Sequence, residues 1–136
     1  MYISTKGRYA LRVLVDLADC KDSRLVPLGE IANRQDISLK YLERIMPVLT
    51  KAGYVNGTSG KKGGYCLSKK PEQLFVGEVL RLTEGTLAPV ACLACNSEPC
   101  PRKSKCRTVT LWTQLDNKVN SYLDSVSIAD LVNGKV

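Results

Sequence analysis

Four cysteines, Cys92, Cys95, Cys100 and Cys106, fall within fifteen positions at the spacing C-x2-C-x4-C-x5-C, in a chain without histidine. Four soft sulfur ligands on one short segment can surround a zinc ion or an iron–sulfur cluster. The lack of histidine removes Cys/His ligand sets, Ser-His-Asp triads and Cys-His nucleophile pairs, so the chain reads as a non-enzyme. Structural zinc sites usually pair two CxxC knuckles. Here only Cys92 and Cys95 form one, because Cys100 and Cys106 are too widely spaced. Uneven spacings suit a cluster, whose irons lie apart, and Arg102, Lys103, Lys105 and Arg107 would offset its thiolate charge. Zinc is the alternative, and a bare thiol switch is the third reading. Cys20 and Cys66 stand alone on helix and strand patterns and read as small packing residues.

The elements that must position such a site belong to a small basic protein. The chain has 136 residues, a formal charge of +7, and enough apolar residues (44%) to form a core without staples. Residues 1–81 hold 14 Lys/Arg against 8 Asp/Glu, whereas residues 82–136 hold 6 against 5. A basic first half implies an anionic partner such as nucleic acid. No signal peptide or membrane-length apolar run is visible, so the expected compartment is the reducing cytoplasm, where six cysteines are poor candidates for structural disulfides.

Hydrophobic period predicts a first helix from about Thr5 to Asp19, with Ala10, Val13, Leu14, Leu17 and Ala18 inward and Arg8, Arg12 and Asp16 wet. Pro27 opens a short helix through about Arg34, with Leu28, Ile31 and Ala32 facing inward. A polar turn leads to Ser38, a good N-cap for a second helix whose inward residues are Leu39, Leu42, Ile45, Met46 and Leu49. Pro47 should bend or restart that helix. This pair has the layout of a helix-turn-helix, whose second helix enters the major groove. The stretch 54–67 reads as a β-hairpin with a Gly- and Lys-rich tip, which would be a wing. A short helix follows over Phe75–Thr83, then the cysteine loop over Ala88–Arg107. Next comes a long helix with Trp112, Leu115, Val119, Tyr122 and Val126 at steps of 3 and 4, a seam suited to a second subunit. Residues 127–132 add a closing turn of helix.

Candidate DNA contacts are Ser38, Lys40, Tyr41 and Arg44 on the recognition helix and Ser59, Lys61, Lys62, Gly64 and Tyr65 on the wing. Arg44 has the fork to bind guanine, whereas the lysines suit phosphates. Glu43 could accept from cytosine or pair with a neighbouring cation.

Several runs together resemble a known family. Ser4–Ala10, Ile37–Glu43, Gly63-Gly64-Tyr65, Val76–Val79, the cysteine loop and Leu111-Trp112 are similar to IscR-like winged-helix regulators of the Rrf-two superfamily, along essentially the whole chain. The resemblance implies a homodimeric DNA-binding regulator with an Fe–S cluster near the dimer helix, and cluster state altering DNA binding. Two departures stand out. The IscR branch uses three cysteines and a histidine three residues after the third; taking Cys106 as that third cysteine puts Val109 at the histidine position. Cys100 matches the second, and Cys92 or Cys95 the first, so a four-cysteine set within one subunit is the simplest inference. The nitric-oxide-sensing branch takes an aspartate from the partner's first helix, where this chain has Arg8. In the wing, Ser59 stands where relatives commonly place an arginine, leaving Lys61 and Lys62 for phosphate or minor-groove contacts.

The expected architecture is mainly α with a small β-hairpin, a winged helix-turn-helix plus a long dimerisation helix. Residues 1–84 form the DNA-binding domain, 85–107 the cluster loop, and 108–136 the dimer helix with a C-terminal turn. The expected partners are double-stranded operator DNA and a second copy of the chain, with no membrane. The expected cofactor is an Fe–S cluster, 2Fe–2S favoured and 4Fe–4S possible, with zinc as the alternative. The competing functions are a thiol- or partner-controlled repressor without cluster and a zinc-stabilised nucleic-acid- or protein-interaction module.

Overall fold

The computed structural model describes residues 2–20, 24–94 and 98–136. Helix α1 spans Thr5–Asp19, and Ser4 caps it by accepting the Gly7 N–H at 3.2 Å. Its apolar face (Ala10, Val13, Leu14 and Leu17) is buried against the rest of the body. Helices α2 (Leu28–Gln35) and α3 (Leu39–Lys51) follow, joined by a turn in which Asp36 takes a left-handed conformation, φ 52°. That backbone costs an L-residue roughly 1–2 kcal/mol, which the surroundings must offset.

Strands β1 (Val55–Thr58) and β2 (Gly64–Leu67) pair antiparallel, Val55 opposite Leu67 and Thr58 opposite Gly64. Val26 adds a bridge to Tyr65 through two 2.8 Å backbone bonds, tying the wing to the segment before α2. Gly64 makes this approach possible, since a Cβ there would lie 2.6 Å from the Val26 carbonyl.

Helix α4 (Val76–Glu84) packs on α1, and the Glu84 carboxylate accepts from both the N–H and the hydroxyl of Ser4, at 3.0 and 2.7 Å. The long helix α5 (Val109–Ser125) packs on α4 through Arg81, whose guanidinium donates to Asn120 at 2.9 Å and Asp124 at 2.8 Å. Helix α6 (Ile128–Val132) starts from a capping box in which Ser127 and Asp130 satisfy each other's backbone N–H groups.

The chain's return at α6 changes the expected organisation. Val76 donates to the Val126 carbonyl at 2.9 Å, and Ile128 donates to Leu74 at 2.8 Å, so the end of α5 is stitched to the start of α4. Ile128 is fully buried in the same core as α1 and α3. The expected boundary at 108 therefore separates α6 from the residues that bury it. Val126, expected on the dimer seam, lies past the end of α5 and is buried with Val76, Leu80 and Leu87.

Three more expectations are corrected. Asp16, read as wet, is buried, because it faces α2 and accepts from Arg34 at 2.6 Å and Gln35 at 2.9 Å. Leu39, read as inward, is exposed, because it is the first residue of α3, ahead of the turns that meet the core. The helix α3 runs through Pro47 without restarting. A proline there leaves the Glu43 carbonyl without its helical donor, but both residues are exposed and water can supply it.

Replacing Ile128 with Ala should lower the unfolding free energy by about 2–5 kcal/mol in urea denaturation. A loss below about 0.5 kcal/mol, the range of surface changes, would remove α6 from the core.

Candidate nucleic-acid interface and cysteine-loop site

The Ser38 hydroxyl accepts the Tyr41 N–H at 3.1 Å and so fixes the start of α3. Ser38, Lys40, Glu43 and Arg44 are exposed on this helix. At the wing tip Ser59, Lys61 and Lys62 are also exposed, in a turn closed by a 2.9 Å bond from Gly63 to the Gly60 carbonyl. Gly60 has φ 105°, a backbone that favours glycine. Among the described residues no ion pair involves Lys40, Arg44, Lys61 or Lys62, whereas Arg24, Arg34 and Arg81 all hold carboxylates. Four cations on one helix and one hairpin tip thus keep their charge for an external anion.

Three expected DNA contacts sit differently. Gly64 is buried against Val26, and the half-buried Tyr65 ring lies over Gly57. Tyr41, expected to point outward, is half-buried and meets the Tyr9 ring edge-on, centroids 5.3 Å apart. Tyr9 in turn lies under the Arg12 guanidinium at 5.2 Å. Neither Tyr9 nor Arg12 was singled out as a site residue by helical period, which shows which face a residue occupies but not which element lies opposite.

The cysteine loop carries two short 3-10 turns, Ala91–Leu93 and Lys103–Lys105. Cys92 lies in the first, and Cys106 ends the second. With Cys100 they line one cavity of about 220 Å³, whose other walls are Leu93, Pro99, Lys103 and Val109. Such a volume is many times what one water needs. Val109, the first residue of α5, supplies an apolar wall there and no ligand atom. The Cys106 sulfur lies 3.3 Å from the Thr108 hydroxyl. That contact, backbone N–H groups of Thr108 and Val109, and the charge of Arg102 hold the Cys106 thiol below its usual range. Among the described residues no group of three or more Cys, Asp or Glu side chains is drawn together as a metal site. The expected ligand Cys95 lies outside the described residues. Cys92, Cys100 and Cys106 line one partly enclosed space together with Lys103, and thiolates as a class suit soft metals.

Helix α5 rises from this cavity and has no buried residue along its length. Leu115 and Tyr122 of the expected seam are exposed, as is Leu111, while Trp112 and Val119 are half-buried. Among the described residues no helix is long and apolar enough to cross a membrane.

Comparison with known proteins agrees with this architecture. Residues 3–134 match the Rrf2 family model, described as an iron-dependent transcriptional regulator. The chain is 40% identical to protein rrf2 of Nitratidesulfovibrio vulgaris, covering 97% of this chain and 87% of that protein. It is 37% identical to the HTH-type transcriptional regulator IscR of Aliivibrio salmonicida, covering 97% and 77%. Among solved structures it is similar to CymR, the global cysteine regulator of B. subtilis, with TM-score 0.79, 33% identity and coverage of 98% and 97%. A winged, mostly helical body, matched along nearly its whole length by these regulators, makes this chain a member of the Rrf2 family of transcriptional regulators.

Proposed function

We propose that this protein is a cytoplasmic, homodimeric regulator that binds double-stranded operator DNA and whose affinity is set by an Fe–S cluster on the cysteine loop. The observation that carries the reading is the single cavity shared by Cys92, Cys100 and Cys106 at the foot of α5. Those three side chains would hold the group, with Cys95 as a fourth ligand in place of the family's histidine. When bound, the cluster supplies sensitivity to iron, sulfur and oxidants; 2Fe–2S is favoured and 4Fe–4S possible. The chain's own residues do the rest. Ser38, Lys40 and Arg44 face the major groove, and Ser59, Lys61 and Lys62 reach phosphate or the minor groove. Trp112, Leu115, Val119 and Tyr122, with exposed Leu111 beside them, present α5 to a second copy.

A second reading keeps the DNA-binding body but controls it by thiol chemistry or a protein partner without a cluster. A solved structure of CymR from Staphylococcus aureus in an oxidised form, 32% identical to this chain with TM-score 0.74, favours it. Zinc in the same loop is the third possibility.

Protein purified without oxygen should contain iron and acid-labile sulfide and show charge-transfer bands, and Cys100→Ser or Cys106→Ser should remove most of both. Zinc without sulfide would support the zinc form, and neither metal nor sulfide would leave the thiol reading. DNA affinity should fall steeply with salt, and Lys61→Ala should reduce the log–log slope by about 0.9, the value for one phosphate contact on duplex DNA. A flat salt response would remove the DNA-binding reading.

A further inference from the structure

Tyr9, Arg12 and Asp16 recur along α1 at steps of three and four and therefore share one face. That face meets the helix-turn-helix. Gln35 is the last residue of α2, where a backbone carbonyl has no partner within its helix. Arg12 satisfies it: Nη2 donates to the Gln35 carbonyl, and Nε donates to its side-chain oxygen at 3.2 Å. A cation at this point also complements the negative end of α2. The Gln35 amide then donates to Asp16 at 2.9 Å, which holds Arg34 as well. The left-handed Asp36 and the N-cap Ser38 come next, so this clasp fixes the turn from which α3 departs.

Arg12 makes a second connection. Its guanidinium covers the Tyr9 ring, and Tyr9 meets Tyr41 of α3 edge-on. One exposed side chain thus touches the turn before the recognition helix and, through one ring, the first turn of that helix.

We infer that Arg12 is a positioning residue for base recognition, setting the direction of α3 by clasping the Gln35 carbonyl and bracing Tyr41 through Tyr9. The inference rests on the DNA-binding reading above. It gives Arg12 a role different from that of the phosphate-facing cations. A phosphate contact adds affinity for any sequence and steepens the salt dependence, whereas a clasp on α3 acts only where base edges are read. Only an arginine fork spans both Gln35 oxygens while its guanidinium lies over a ring, so lysine cannot replace it.

The test uses the full chain, a duplex selected by the wild-type protein from a randomised pool, and a scrambled duplex of equal length. Arg12→Ala and Arg12→Lys should each weaken binding to the selected duplex by at least about fivefold, the lower edge for a lost base contact. Both should leave scrambled-duplex affinity and the salt slope unchanged. Tyr9→Leu should behave alike and Tyr9→Phe like wild type, which gives a second route should an Arg12 variant fold poorly by circular dichroism. Full retention of selectivity by Arg12→Lys would overturn the inference, as would a slope reduced by about 0.9 in Arg12→Ala, the mark of a phosphate contact. Wild-type protein that binds neither duplex would overturn the DNA-binding reading, and the inference with it.

Discussion

The burial of one carboxylate, that of Asp16, organises the recognition half of the molecule. A charge taken out of water is costly unless paired and hydrogen-bonded. Asp16 meets that condition with Arg34 at 2.6 and 3.1 Å and Gln35 at 2.9 Å, both near the end of α2. The pairing binds α2 to α1 in one register, and the clasp of Arg12 on Gln35 completes it. Breaking it would leave a carboxylate buried without its donors, beside a turn that already carries a left-handed aspartate. The placement of α3 thus depends on α1.

The other end of α1 is fixed to α4. Ser4 is held by Glu84 of α4, and the two helices approach closely at Gly7, where a Cβ would lie 2.3 Å from the Glu84 carboxylate. Arg81 on the same α4 holds Asn120 and Asp124 of α5. Gly77 leaves room for that carboxylate, since a Cβ there would lie 2.0 Å from Asp124. The far end of α5 meets the cavity lined by the cysteines through Val109. Packed helices and hydrogen bonds therefore run without a break from the cysteine loop to the helix-turn-helix. A group held by the cysteines would sit at the base of the helix expected to pair two subunits.

Local signals carried the elements. The bounds of α1, the cap at Ser38, the wing between Val55 and Leu67, and the start of α4 follow from apolar period and turn chemistry within a dozen residues. Features created by distant segments were not legible. Asp16 looked wet because α2 cannot be seen from the period of α1, and Val126 fitted the α5 seam although the helix stops one residue earlier. The closing turn of helix was visible in the sequence, but not the burial of Ile128 in the core that α1 and α3 share. Site legibility divides in the same way. Cysteine spacing showed that the cysteines share one loop, but not that Val109 would wall a cavity there; the wing glycines were visible, but not that Gly64 serves the Val26 bridge.

If occupancy of the cysteine loop governs DNA binding, the most direct measurement is the affinity of one preparation for one selected duplex before and after chelation removes its metal, at fixed salt. A change of at least about fivefold, roughly 1 kcal/mol and the low end of typical coupling between two sites, is the predicted result. Equal affinity in the two states, for every duplex tested, would contradict it.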